Sequence, residues 1–133
     1  MNYKFLISMA LIAASVSACK KRSYTNDTTK PIITVVEPMD NDTVQISIDP
    51  EVHIEFTATD NEVLRTLHVT VTNASGTTLF AESPSVTGNS VYAYHNHFIP
   101  SNITTGQEIT VTLKAVDAND NSVEKVIPIY LNP

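Results

Sequence analysis

The sequence contains few of the residues on which many small extracellular domains and enzymes depend. Among its 133 residues there are one cysteine, three glycines and no tryptophan. A single cysteine excludes a disulfide within the chain, so the fold must rest on its hydrophobic core. Three glycines are too few for a glycine-rich phosphate-binding loop, and the chain has no Gly-x-Ser-x-Gly or His-Glu-x-x-His pattern. The sequence therefore predicts a protein that is not an enzyme.

Basic residues are also scarce, and their distribution divides the chain. Residues 31–133 hold three basic and thirteen acidic side chains, a formal net charge of −10. A field of this sign repels nucleic acids and anionic lipid head groups, so we expect no nucleic-acid partner. Residues 19–30 hold four basic residues and one acidic residue, and they are rich in Ser, Thr and Asn. This composition predicts a flexible tether that lies against an anionic membrane surface.

An apolar run near the start of the chain indicates export. Residues 5–18 carry no charge and follow Lys4, but they are shorter than the roughly 20 residues of a bilayer span. A basic start, a short apolar run and small residues before a cut site are typical of a secretory signal peptide, here residues 1–18. Val16-Ser17-Ala18-Cys19 resembles the lipobox of bacterial lipoproteins. An ordinary signal peptide with a chance cysteine is the alternative.

The lipobox resemblance implies that the mature chain begins at a lipidated Cys19. In lipoproteins of that class the cysteine is diacylated and the new amino terminus is acylated, and two or more chains anchor a protein firmly. The membrane is therefore an expected partner. Lys20 stands where an Asp would resemble the inner-membrane retention signal, which favours the outer membrane. Surface lipoproteins of Bacteroidetes tend to carry acidic residues here, so the basic Lys20-Lys21-Arg22 favours the periplasmic leaflet over the cell surface.

Residues 31–133 form one predicted domain in which strand-forming residues dominate. Val52, Ile54, Phe56 and Ala58 alternate with polar residues, and this period of two is typical of half-buried strands. Clusters of Asp, Asn, Gly and Pro separate the apolar runs, and no segment has a helical period. Eight strands are predicted, at residues 32–36, 43–48, 52–58, 64–72, 77–82, 90–98, 108–116 and 122–131.

Seven or eight short strands in about 100 residues favour an all-β antiparallel β-sandwich. Residues 43–48 are predicted to pair with residues 52–58 through a tight turn at Asp49-Pro50. Pro128 lies within the last strand and has no N–H to donate. That strand is therefore an edge strand, or Pro128 turns its nitrogen away from the ladder.

Three stretches carry a resemblance to a known class of domain. "PIITVVEP", "FTATDN" and "VTLKAVDANDNS" resemble immunoglobulin-like modules of bacterial envelope proteins, including hyalin-type and cadherin-like repeats. With the lipobox, the chain resembles small single-domain lipoproteins of Bacteroidetes, which are often described as adhesins. The resemblance implies an Ig-like (cadherin or fibronectin type) sandwich and an envelope protein or glycan as partner. The chain departs from it at Asp120, which stands where Gly would precede Asn121.

Acidic residues in the predicted loops suggest a calcium site. In this fold the B–C and F–G loops share one end of the sandwich, and the pairing proposed for residues 43–48 adds the preceding loop. Calcium takes six to eight oxygen ligands, many of them carboxylates. The alternative is that Asp and Asn occupy turns because their side chains satisfy the turn backbone. The candidate calcium ligands are Asp40, Asp42, Asp60, Glu62, Asp117 and Asp120.

Histidines form a second candidate metal site. His95 and His97 are two residues apart and therefore share one face of a strand. Zinc or copper needs three or four ligands, which His53 and His68 on other strands would have to complete. A polar sheet face without a metal is the alternative. The aromatic residues of the same strand lie on its opposite face, in the core or in a contact patch; they are Tyr92, Tyr94 and Phe98.

The sequence thus leaves three functions to compare. The first is a lipid-anchored binding or adhesion module that engages an envelope protein or glycan. The second is a structural or accessory lipoprotein with no ligand of its own, stabilised by calcium. The third, an enzyme, has no motif to support it. A large exposed apolar patch favours the first function, whereas an evenly polar surface favours the second.

Overall fold

The computed structural model describes residues 26–133. The predicted signal peptide at residues 1–18, Cys19 and the first part of the predicted tether lie outside the described residues. The described part consists of eight strands joined by turns and loops, and no helix in it is long and apolar enough to cross a membrane. The strands are β1 (Ile32–Glu37), β2 (Thr43–Gln45), β3 (Val52–Thr59), β4 (Leu64–Asn73), β5 (Thr78–Glu82), β6 (Val91–Phe98), β7 (Gln107–Asp117) and β8 (Ser122–Asn132).

The strands form two sheets that pack face to face. One sheet has three strands in the order β1-β3-β6, and the other has five in the order β2-β8-β7-β4-β5. All neighbours are antiparallel except β2 and β8, which run parallel. The fold is an all-β sandwich of eight strands, which confirms the predicted fold class.

The hydrophobic core is formed by the apolar residues that alternate with polar ones along the strands. Val52, Ile54, Phe56 and Ala58 of β3 are buried, and the side chains between them are only partly buried. Their counterparts in the other sheet alternate in the same way, because successive residues of a strand point to opposite faces. The Phe56 ring stacks on the Tyr94 ring with the centroids 5.0 Å apart. The buried residues of the other sheet include Leu67, Val69, Val71, Ile109, Val111, Leu113, Ile127, Ile129 and Leu131.

A carboxylate joins the two sheets at one open side of the sandwich. Glu82 Oε2, at the end of β5, accepts hydrogen bonds from Tyr94 Oη at 2.6 Å and from Asn96 Nδ2 at 2.7 Å. Burial and the bond to Glu82 raise the pKa of Tyr94 well above its ordinary value, so the phenol stays protonated and keeps donating. Tyr94 and Phe98 lie in the core, as the alternation of β6 predicts, and Tyr92 packs against it.

The predicted pairing of residues 43–48 with β3 is wrong. Both edges of β3 are occupied, by β1 on one side and β6 on the other. The chain therefore leaves the three-stranded sheet after β1 and crosses to the five-stranded one. There β2 pairs with β8, with Thr43 opposite Tyr130. A turn in which Ile48 N and Asp49 N both donate to Gln45 O then ends β2 after three residues.

Pro128 fits inside β8 because its nitrogen faces away from β7. Tyr130 N, two residues later and on the same side, donates to Asp42 O, and Pro128 O accepts from Asn41 N. The nitrogen of Pro128 therefore faces the edge of β8 that β2 covers, but the pairing with β2 begins only at Tyr130. No hydrogen bond of the sheet is lost at Pro128. The second of the two placements predicted for this proline is confirmed.

Truncation of Phe56 tests the register of β3. Phe56 is 1% exposed and lies at the centre of the core. We expect Phe56→Ala to lower the free energy of unfolding by about 3–5 kcal/mol, because it removes buried contacts and leaves a cavity. Val126→Ala is the control, since Val126 is 58% exposed on β8 and its truncation leaves the core intact. Chemical denaturation measures both; equal effects of the two changes would place Phe56 outside the core.

Candidate functional site

Three segments meet at one end of the sandwich, here called the acidic end. They are the β3–β4 loop (60–63), the β7–β8 loop (118–121) and the N-terminal segment (26–31). Antiparallel pairing brings them together, because Ile32 at the start of β1 lies opposite Thr59 at the end of β3. The two loops are also bonded directly, through Ala118 N and Val63 O. The acidic end therefore contains the two loops that sequence analysis placed together.

Asp117 organises the acidic end from within. Its side chain is 1% exposed, the only charged residue among the described ones that is fully buried. Its Oδ1 accepts hydrogen bonds from the backbone N–H groups of Asn119 and Asn121, each at 2.8 Å, and its Oδ2 accepts one from Asn121 Nδ2 at 2.7 Å. These bonds shape the β7–β8 turn, in which Asp120 takes a φ of 70°. Asp and Asn tolerate this left-handed conformation, which explains how Asp120 replaces the expected glycine.

Two more carboxylates face Asp117. Asp27, Asp60 and Asp117 each have a carboxylate oxygen within 4.8 Å of one in each of the others. Asp27 is held there by Asn61 Nδ2, which donates to its Oδ2 at 3.1 Å, and by Asn121 Nδ2, which donates to its backbone oxygen at 3.0 Å. The three aspartates form an oxygen-rich cluster of the kind that a hard cation such as calcium prefers.

Asp60 is the member of this cluster whose negative charge is disfavoured by its surroundings. Its Oδ1 accepts a hydrogen bond from Glu62 N at 2.9 Å. Its Oδ2 is buried and has no hydrogen-bond partner within residues 26–133. Burial is the main cause that raises the pKa of Asp60, and the charges of Asp117 and Asp27 raise it further. By contrast, the backbone N–H of Thr29 is the main cause that lowers the pKa of Asp27.

The cluster differs from the set of calcium ligands predicted from the sequence. Asp40 and Asp42 are not part of it, because β1 carries the chain to the opposite end of the sandwich and Asp42 lies beside Tyr130. Asp42 Oδ2 instead accepts from Met39 N at 2.8 Å within its own turn. Asp120 forms an ion pair with Arg65.

Glu62 and Asp27 complete the comparison with the predicted set. Glu62 contributes its backbone N–H to Asp60 and is not one of the three clustered carboxylates. Asp27 was missed because its segment reads as a flexible tether. Its two contacts come from asparagine side chains, Asn61 and Asn121, and the only sequence signal for them is the density of Asx residues in those loops.

A cleft lies at the other end of the molecule, where the chain crosses between the sheets. Its volume is about 460 Å³, and it is lined by the β1–β2 connection, β2 and the start of β3. Val36, Met39 and Ile48 contribute apolar walls that remain exposed, Ile48 to 82%. Ile48 is the most exposed of the large apolar residues that the structure describes. The cleft is therefore an apolar surface available for contact.

The rim of this cleft is acidic. The lining residues include the carboxylates of Glu37, Asp42, Asp49 and Glu51, and no lysine or arginine. They also include no Phe, Tyr or Trp ring on which a sugar could stack. His53 is the only lining residue with a ring other than proline. The cleft thus combines apolar walls with negative charge.

The histidines fall into two groups. His95 and His97 lie on the outer face of the three-stranded sheet, as predicted, and His53 on β3 lies directly opposite His97 on β6. His68 is in the other sheet, where its Nδ1 is 2.8 Å from Ser83 Oγ. Three of the four histidines therefore share one surface.

Comparisons with known proteins bear on the fold alone. No protein-family model matches the chain, and no curated protein matches its sequence. Among solved structures, the crystal structure of an engineered protein is similar, with a TM-score of 0.56 and 14% sequence identity. The similarity covers 78% of this chain and 20% of that one, so this chain spans about a fifth of its length. The protein is thus a β-sandwich module with an acidic end and an apolar cleft at the opposite end.

Whether the acidic end binds calcium stays a prediction, and Asp60→Asn tests it. The pKa of Asp60 is higher in the folded protein than its unfolded value of 3.8, so the fold favours the protonated carboxyl group. The stability that this group contributes is complete at pH values below 3.8, and it is lost as the pH rises through the folded-state pKa. We therefore expect Asp60→Asn to raise the melting midpoint at pH 7 without calcium, and this gain to vanish as pH approaches 4. Differential scanning calorimetry across this pH range measures the effect.

Calcium should reverse the order of the two proteins. With a Kd near 0.5 mM, 5 mM calcium stabilises the wild type by about 1.4 kcal/mol, which corresponds to several degrees in a domain of this size. Asp60→Asn should lose this increase, whereas Asp40→Asn, at the opposite end, should keep it. Equal small shifts with calcium and magnesium in all three proteins would mean general screening, and the aspartates would then be turn residues only.

Proposed function

We propose that the protein is a lipid-anchored binding module of the bacterial cell envelope. The observation that carries this proposal is the apolar cleft beside β2, in which Val36, Met39 and Ile48 are exposed together, since exposed apolar residues gathered in one cleft are typical of contact surfaces. The lipobox-like sequence ending at Cys19 supports the anchor. Two acyl chains on that cysteine are enough to keep a domain without other apolar segments at the membrane.

The chemistry of the cleft defines its partner. Apolar walls favour an aliphatic side chain of the partner, and the four carboxylates around them favour lysine or arginine beside it. The absence of aromatic side chains in the lining favours a protein over a glycan. The partner is therefore a basic, partly apolar segment of another envelope protein. The module sits on the outer membrane, in the periplasmic leaflet rather than on the cell surface, as the basic residues after Cys19 favour.

The second candidate is a structural lipoprotein whose domain is stabilised by calcium and takes no other ligand. The buried Oδ2 of Asp60, which lacks a hydrogen-bond partner within residues 26–133, favours it, since a cation beside Asp27 and Asp117 would satisfy this oxygen. The two candidates differ in the cleft, which has a role in the first only. Neither requires an enzymatic activity.

The anchor is tested by Cys19→Ser. We expect this change to leave the domain folded, because none of the contacts described for residues 26–133 involves Cys19, and to move the protein from the membrane fraction to the soluble fraction. Nothing in residues 26–133 is an apolar helix that could replace the lipid. Fractionation after a high-salt wash measures the distribution. A variant that stays with the outer membrane would contradict the lipoprotein assignment.

The cleft is tested by Ile48→Glu. A carboxylate at this position removes the apolar contact and places a further charge beside the walls, so we expect it to abolish partner capture. Crosslinking in intact cells, followed by purification and mass spectrometry, compares the captured proteins. The melting midpoint should not change, because Ile48 is 82% exposed.

Val126→Glu is the matched control for this experiment. Val126 is also an exposed branched apolar residue, at 58%, but it lies on β8 and does not line the cleft. It should capture the same proteins as the wild type. If both variants retain the same crosslinked species, the cleft is not the binding surface and the structural alternative gains support.

A further inference from the structure

Three of the four histidines of the chain gather on the outer face of the three-stranded sheet. His53 and His97 lie opposite each other on β3 and β6, and His95 lies two residues before His97 on the same face. The ring centroids of His53 and His97 are 4.4 Å apart, and those of His95 and His97 are 4.9 Å apart. The three rings form one continuous imidazole surface, here called the histidine face.

The nitrogens of this face are close enough to share one ion. One ring nitrogen of each histidine lies within 4.8 Å of one from each of the others. Zinc–nitrogen bonds of about 2.0–2.1 Å in a tetrahedral site place two ligand nitrogens about 3.3 Å apart. Small side-chain rotations close the remaining gap, and the paired strands beneath fix the positions of the backbone.

Carboxylates lie within contact distance of two of the rings. Glu51 Oε2 is 2.9 Å from His97 Nδ1, which leaves Nε2 of His97 for a metal. Asp49 Oδ2 is 3.5 Å from His53 Nε2. Histidines that bind metals almost always donate their other N–H to such a partner, which fixes the orientation of the ring and raises its basicity. Glu55, opposite His95 in the strand register, adds a further negative charge near the rings.

We propose that His53, His95 and His97 bind one divalent transition-metal ion, zinc or copper, with Glu51 as a positioning residue. Imidazole nitrogen suits these two metals, whereas calcium and magnesium prefer oxygen. Three protein ligands leave the fourth position of the metal to water. The site differs from the oxygen cluster at the acidic end in both its donor atoms and its place in the fold. It shares His53, Asp49 and Glu51 with the lining of the cleft, so the two sites are neighbours.

Metal titration of the full chain, produced without a polyhistidine tag, tests this proposal. Isothermal titration calorimetry should show one zinc ion per chain and tighter binding of copper than of zinc, because copper forms the stronger complexes. Excess calcium should not displace the zinc. Zinc affinity should fall as the pH is lowered, because protons compete for the imidazole nitrogens.

Single substitutions assign the ligands. His97→Gln and His53→Gln should each weaken zinc binding more than a hundredfold, whereas His68→Gln should leave it unchanged. All three replace partly or fully exposed side chains. Electron paramagnetic resonance of the copper complex gives an independent readout, since the hyperfine structure should show three nitrogens in the wild type and in His68→Gln, and fewer in His53→Gln and His97→Gln.

Glu51→Gln tests the positioning residue. Loss of a carboxylate behind a ligand histidine costs about 10–100-fold in metal affinity. The stoichiometry and the copper–nitrogen signal should persist, and the melting midpoint without metal should match the wild type. Zinc affinity that is equal in the wild type, His53→Gln and His97→Gln would overturn the proposal, as would an equal loss in His68→Gln. His97→Gln lies outside the lining of the cleft, so it tests the metal site apart from partner capture, which Ile48→Glu measures.

Discussion

The mutual burial of two apolar sheet faces is the constraint on which this structure depends. With one cysteine in the whole chain there is no internal crosslink, and the described residues form no helix that could cover either sheet. Each sheet can hide its apolar face only against the other. Phe80 of β5 and Phe98 of β6 pack across the two sheets with ring centroids 6.0 Å apart, and Phe56 and Tyr94 are neighbours within the three-stranded sheet with centroids 5.0 Å apart. The polar sites described above therefore lie at the ends, at the open side or on the outer face of the sandwich.

This constraint explains which parts of the fold were predictable. A strand with one buried face must alternate, so β3, β4 and β7 could be located within a residue or two from their pattern alone. The partner of β2 could not. Its three residues bury little, and their pairing depends on which sheet edge is open, a property of the whole fold. The error at β2 then placed Asp40 and Asp42 at the wrong end.

The candidate sites were predictable to the extent that strand register determines them. Asp60 and Asp117 meet because two loops leave the sheets at the same end, and this follows from the topology. His95 and His97 share a face by their spacing, but the alignment of His53 with His97 requires the register of β3 against β6. Asp27 reaches the cluster through asparagine side chains, and no periodic pattern records such contacts. Local order could thus be read from the sequence, whereas contacts between segments without periodicity could not.

The contacts of Asp27 with Asn61 and Asn121 at the acidic end limit how far the domain can lie from an anchor. Cys19 precedes Asp27 by eight residues, which span at most about 28 Å. With a lipid on Cys19, Asp27 would stay within about 28 Å of the bilayer. The eight residues of β3, about 23 Å of strand, separate the acidic end from the cleft and the histidine face. Partners that arrive from the aqueous side would reach the cleft at the far end of the domain and the histidine face on its flank, and the length of the segment from Cys19 to Asp27 would limit the distance of both from the lipid.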